Sequence, residues 1–171
     1  VLPLVEFYLG RRPDAVERMI DEIWAWDSRR LELTHDYIQW LFPTGTPSMF
    51  NANAPMFDDA SIREFRGSPE LQARMVRSLD MMLDFYGLER TADSEGEVQI
   101  AIAPTFPDRP QWLQRGNHNH LRLTRILASL RLAGLDSYSS ALYGCLDEIG
   151  RREPDHVSAT TRQYWEDAAL R

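Results

Sequence analysis

The sequence predicts an all-α fold. The expectation is a single compact domain over residues 1–171, with about six or seven helices in an orthogonal or bundle-like arrangement and one long Pro-containing loop. Three observations point there. Apolar residues recur at helical spacing through most of the chain. Capping residues stand before those stretches and Gly or Pro after them. Only one short run, Val98, Ile100 and Ile102, alternates as a strand would, and it has no evident partner.

Taken in order, Asp14 and Glu17 have capping-box spacing, and Val16, Met19, Ile20, Ile23 and Trp24 follow as one apolar face. A second helix is expected from Arg29 to Phe42, stopped by Pro43, because the residue before proline avoids helix. Residues 44–55 read as a loop. Asp58 or Asp59 caps a short helix that ends near Gly67. Ser68, Pro69 and Glu70 form a strong start signal for a helix carrying Leu71, Met75, Leu79, Met82 and Tyr86, which Gly87 stops. Residues 89–116 hold Pro104, Pro107 and Pro110 and read as the long loop; Trp112 within it is either a plug on the core or part of a recognition surface. Asn117 caps a helix from His118 to Ala133, with Gly134 as its stop. Asp136 caps the next, which runs to Gly150 with Tyr138, Leu142, Cys145, Leu146 and Ile149 on one face, and Ser158–Leu170 forms the last.

At 171 residues the chain is long enough to bury roughly 70% of its unfolded surface without disulfide or metal staples. The net charge of −7 argues against nucleic acid as a general partner. All 19 basic side chains are Arg. The absence of Lys excludes Schiff-base chemistry and a Lys-type phosphate loop, and it is the composition expected of a GC-rich bacterial genome. Cys145 is alone, so no internal disulfide can form, and its apolar face reads as an inert core position. No run approaches the ~20 apolar residues of a membrane span. The opening Val1–Val5 lacks the features of a secretory signal. The expected location is the cytoplasm. No cofactor is implied, and composition does not speak to the oligomeric state.

Two polar clusters are the candidate sites. On a continuous second helix, Glu32, His35, Asp36 and Gln39 share one arc, with Leu33, Tyr37, Ile38, Trp40 and Leu41 opposite. Such an arc is most often a solvated face; it can also be a buried polar network or a metal or proton-shuttling site. Glu32 and His35 have the spacing of half a di-iron site, as do Glu153 and His156 across Pro154. The second cluster is Asn117, His118, His120, Arg122 and Arg125. Arg122 and Arg125 share a face and can grip a carboxylate, or pair internally with Glu32 or Asp36. No nucleophile elbow, phosphate loop, dinucleotide fingerprint or zinc motif is present.

The run from His35 through Tyr37, Trp40 and Phe42 to Pro43 resembles the signature of the opioid growth factor receptor conserved region. Phe7 and Tyr8 with Ile20–Ile23, Leu71–Arg77 with Leu83–Gly87, and Asn117–Leu130 with Gly134 and Leu135 resemble its other segments, in the same order. The resemblance implies kinship with animal receptors for the peptide methionine-enkephalin, which associate with the nucleus. It brings no catalytic residue with it. The chain lacks the acidic N-terminal extension, basic nuclear-targeting runs and C-terminal repeats of the animal form, and reads as a bacterial member. The expected function is a non-catalytic helical module that binds a peptide or small anionic ligand. Glu32, His35, Asp36, Gln39, Tyr37, Trp40, Asn117, His118, Arg122 and Arg125 are its expected site. The competing expectation is a metal-dependent enzyme or metalloprotein using Glu32, His35, Asp36, His118 and His120.

Overall fold

The computed structural model describes residues 2–49, 51–108 and 110–171. Val1, Phe50 and Arg109, which fall in the expected chain start, first loop and long loop, lie outside the described residues. Nine helices are present among the described residues: α1 Pro3–Tyr8, α2 Ile20–Trp24, α3 Ser28–Leu33, α4 Ile38–Leu41, α5 Asp59–Gly67, α6 Pro69–Tyr86, α7 His118–Leu132, α8 Asp136–Arg152 and α9 Ala159–Leu170. None is long and apolar enough to cross a membrane.

The chain is not all-α. Strands β1 (Leu88–Ala92) and β2 (Val98–Ile102) pair antiparallel, with Leu88 opposite Ile102, Arg90 opposite Ile100 and Ala92 opposite Val98. The fold is mixed and rich in helix. The β2 residues were visible as an alternating run, but its partner was not. In β1 only Leu88 is buried, so the strand carries no period of two. Asp93 closes the turn by accepting hydrogen bonds from the backbone N–H groups of Glu95 and Glu97, both at 2.9 Å, and Gly96 supplies a φ of +81°. Gly87 ends α6 in the left-handed region and sets the hairpin's direction. A Cβ there would stand 3.0–3.1 Å from Phe106, so the following loop closes directly over it.

Helices α6, α7 and α9 form as their caps dictate, whereas α8 follows Leu135 without a side-chain cap and has the expected cap Asp136 as its first residue. The side chains of Ser68, Asn117 and Ser158 accept from the backbone N–H of Leu71, Asn119 and Thr161. Helix α7 is central and packs against both α8 and α9; α8 also covers β2, and β1 lies against α6. Arg18, not a helix, follows Asp14. The Asp14 carboxylate accepts from the backbone N–H of Val16 and Arg18 and from the Arg18 guanidinium, turning the chain with Glu17 at φ +67°. The helix begins only at Ile20, where the Glu22 carboxylate accepts the Met19 N–H, and Val16 is left 54% exposed. The expected helix 29–42 is two short helices separated by residues 34–37, with Thr34 extended.

Arginine reaches across the fold to helix C-termini throughout. Arg74 donates to the Tyr8 carbonyl at the end of α1, Arg66 to Leu132 and Arg131 at the end of α7, and Arg131 to Ala168 in the last turn of α9. The last carbonyls of a helix have no partner within it and carry partial negative charge, and a guanidinium presents several donors in a rigid fork.

Candidate functional site

The break between α3 and α4 organises the polar residues of both signature segments. Arg122, on α7, is 5% exposed. Its Nη1 donates to the Leu31 carbonyl at 2.9 Å and its Nη2 to the Thr34 carbonyl at 2.7 Å, with Glu32 O at 3.5 Å and His35 Nδ1 at 3.3 Å. The Tyr37 hydroxyl donates to the same Leu31 carbonyl at 2.8 Å, and the Arg122 guanidinium lies 5.5 Å from the Tyr37 ring centre. Arg122 is thus the C-cap of α3, supplied from another helix. It holds the backbone turned away from helix at Thr34. Arg125 does the same for α4, donating to the Phe42 carbonyl at 3.2 Å; burial pulls its pKa below the ordinary value. Neither guanidinium pairs with Glu32 or Asp36, the partners expected from charge.

The break also takes the expected arc apart. Asp36 turns outward to Arg18 at 2.8 Å. Gln39 is buried on α4, with its Oε1 lacking a hydrogen-bond partner. Tyr37 and Trp40 are core residues, Trp40 packing edge-on against Phe7 at 5.1 Å. Glu32 and His35 stay with the second cluster. The Glu32 carboxylate accepts from His118 Nε2 at 2.6 Å through one oxygen and from Asn119 Nδ2 at 3.1 Å through the other. The His35 and His118 rings meet edge to face at 5.7 Å. Asn119 Oδ1 in turn accepts from the Tyr86 hydroxyl at 3.2 Å, and burial raises the pKa of Tyr86 well above its usual value. Asn117 caps α7 and donates to the Gln111 carbonyl at 3.3 Å, tying the helix start to the long loop.

His118 and His120 diverge. His120 Nε2 faces the Trp112 carbonyl at 2.8 Å, which fixes that nitrogen as the donor, and its ring meets Trp165 at 5.7 Å. Burial lowers the His120 pKa. With Asp36 and His120 drawn elsewhere, no group of three or more His, Cys, Asp or Glu side chains is placed to hold a metal ion among the described residues. Glu153 and His156 are a half-exposed pair at 3.8 Å, away from this cluster. Burial pushes the Cys145 thiol up to about 11, which makes it a poor nucleophile.

Beside the Glu32 network runs a groove of about 520 Å³. Its walls are Ser28, Arg29, Glu32 and Leu33 of α3, Phe85 and Tyr86 at the end of α6, and Pro107, Pro110, Gln111 and Trp112 of the loop. Trp112 is the plug of the two expectations: it is 4% exposed, donates from its indole to the Tyr86 carbonyl at 3.1 Å, and packs edge-on against Tyr86 at 5.4 Å. Three other concavities of comparable size lie at the β2–α8 seam, beside Trp26 and between α6 and α8. The first groove is lined by Glu32, whose carboxylate His118 and Asn119 hold. Asn119, Phe85, Tyr86, Leu33 and Trp112 were not among the expected site residues. Asn119 stands inside the signature segment without a pattern that singles it out. Tyr86 has the spacing of core and Trp112 stands out only as plug or recognition surface; both are core as well as wall.

A model of the family described as the opioid growth factor receptor (OGFr) conserved region matches residues 4–164. The chain is 38% identical over 144 residues to opioid growth factor receptor-like protein 1 of Xenopus tropicalis, covering 81% of this chain and 27% of that protein. It is 34% identical to the opioid growth factor receptor of Homo sapiens, covering 83% and 21%, and 38% identical to opioid growth factor receptor-like protein 1 of Mus musculus, covering 81% and 30%. It therefore spans less than a third of the length of these relatives. No solved structure matches it. The chain belongs to the opioid growth factor receptor conserved-region family.

Proposed function

We propose that this family member is a non-catalytic peptide-binding module whose ligand lies in the groove between α3, the end of α6 and the loop residues Pro107, Pro110, Gln111 and Trp112. The observation that carries the reading is the placement of Glu32. It stands in a wall of aromatic, proline and leucine side chains and is 27% exposed, while His118 and Asn119 hold its carboxylate from behind. Apolar concavities with a few fixed polar groups are the usual form of small-ligand sites, and about 520 Å³ falls within their usual size. The relatives' name, opioid growth factor receptor, agrees with a peptide ligand.

In this reading the expected site residues divide. Glu32 faces the ligand, with His118 bonded to its carboxylate and His35 packed against His118. Asn117, Tyr37, Trp40, Gln39, Asp36, Arg122 and Arg125 hold the elements that carry them. Arg122 positions α3 and does not grip a ligand carboxylate, because its donors are committed to backbone carbonyls. The Lys-free composition supports a bacterial origin, in which case its ligand is a peptide other than enkephalin.

The test is selection from random heptapeptides displayed with free N-termini, using wild type and a Leu33→Arg variant. Leu33 is 63% exposed and lines the groove, so the longer, cationic side chain obstructs it without disturbing the core. Peptides enriched on wild type should shift the amide resonances of Glu32, Phe85 and Gln111 and should not bind Leu33→Arg at an unchanged melting temperature. Equal enrichment on both proteins, or none, overturns the proposal.

A further inference from the structure

We infer that the groove recognises a peptide through its free N-terminal ammonium, taken by Glu32, with the first side chain laid against the aromatic and proline wall. The inference rests on the groove as the ligand site and adds the chemistry it selects. A carboxylate has about four acceptor positions. In Glu32 one on each oxygen is used, by His118 at 2.6 Å and Asn119 at 3.1 Å. The remaining positions are open to the groove, since the side chain is part exposed and lines it.

Of the two protein donors, Asn119 is a neutral amide, itself fixed by Tyr86, and it orients one carboxylate oxygen without adding charge, while His118 makes a single contact to the other oxygen. Arg122 comes close to the cluster yet spends its donors on the carbonyls of Leu31 and Thr34. Arg29, the cation among the described lining residues, is exposed and has the reach to keep its head in water. The groove therefore offers one oriented carboxylate beside Phe85, Tyr86, Pro107 and Trp112. Aromatic faces favour a nearby cation as well as the apolar group attached to it. An N-terminal residue presents both from a single Cα, which fits a short groove. A lysine side chain would carry its charge four carbons away from the backbone.

The probe is Phe-Gly-Gly amide, whose only charge is its ammonium, titrated into the isotope-labelled protein beside its N-acetyl form and N-acetyl-Lys-Gly-Gly amide. The free-amine peptide should bind at the groove, and acetylation should weaken it about tenfold or more, the scale of one charge-assisted hydrogen bond. Glu32→Gln should erase the difference between the two forms. Since acetylation changes only the ligand, that arm holds whatever the substitution does to stability. Equal binding of the free and acetylated forms at the groove overturns the inference and leaves the groove as a peptide site. So does a difference that persists in Glu32→Gln, or tighter binding of the lysine peptide. Absence of any shift at the groove from all three probes overturns the groove reading itself.

Discussion

The short helices α1, α3 and α4 of the first third and the long helices α7 and α9 all take an arginine from elsewhere at their C-termini, but they differ in length and so in how much rests on that contact. Helices α6, α7 and α9 run 18, 15 and 12 residues and begin on their own Ser or Asn caps. Helices α1, α3 and α4 run six, six and four residues, lengths at which helical hydrogen bonding alone does not hold a structure in water. Each of these three finishes on an arginine from a long helix: Arg74 of α6 on α1, Arg122 of α7 on α3 and Arg125 of α7 on α4. The first third of the chain is thus folded onto the second half, and the candidate ligand wall on α3 is held there by that contact. The polar residues that mark the family serve this docking first, and Glu32 is the one whose carboxylate is left facing a groove.

The contrast breaks first at Arg122. Arg122→Ala leaves the Leu31 and Thr34 carbonyls buried without this partner and should cost about 3–5 kcal/mol in denaturant unfolding, the range for stripping one side from a buried charged contact. Arg122→Lys should recover only part of it, because an ammonium cannot span both carbonyls as the fork does. A loss below about 1 kcal/mol from the alanine change would mean α3 ends well enough by itself. A cap supplied locally should cost less. Ser158→Ala removes one acceptor for the Thr161 N–H and should destabilise by about 1 kcal/mol in the same measurement. A cost equal to that of Arg122→Ala would erase the distinction.

The smallest effect concerns the tie between α7 and the long loop. Burial depresses the His120 pKa, so between that lowered value and the ordinary histidine value of about 6.5 the unfolded chain binds a proton that the folded chain does not. Its contribution to stability is complete above about pH 6.5 and is lost as pH falls below it. Melting temperature should fall over that window in wild type and less so in His120→Gln, which keeps a donor for the Trp112 carbonyl. Identical pH profiles would show that another group governs the acid side.

What was legible in the sequence follows the same division. Helices α5 to α9 stand within a residue or two of their expected bounds, because their caps and apolar spacing are written locally. The first third was misread for a consistent reason. Asp14 has the spacing of a cap, yet its carboxylate closes a turn with Arg18. Residues 29–42 have helical periodicity from end to end, yet Arg122 draws off the carbonyls that would continue the helix through Thr34. The hairpin escaped because β1 buries only Leu88.

The candidate site was half legible. The sequence brought forward Glu32, His35, His118 and Arg122, which do meet, and it joined them to Asp36 and Gln39 through a helix that does not continue. The groove wall is only partly legible: Phe85 and Tyr86 have the spacing of core, while Trp112 stands out in the Pro-containing loop as either a plug or part of a recognition surface.

The sequence by itself determined the family, the helix-rich character and the caps of α6, α7 and α9, all of which depend on neighbours within a few residues. The tertiary structure decided where the first third breaks, which residue of the polar cluster faces outward, and that a groove lies beside it. Those outcomes turn on partners such as Arg122 and Leu31, which are 91 residues apart, and no local pattern records which carbonyl a distant guanidinium will satisfy.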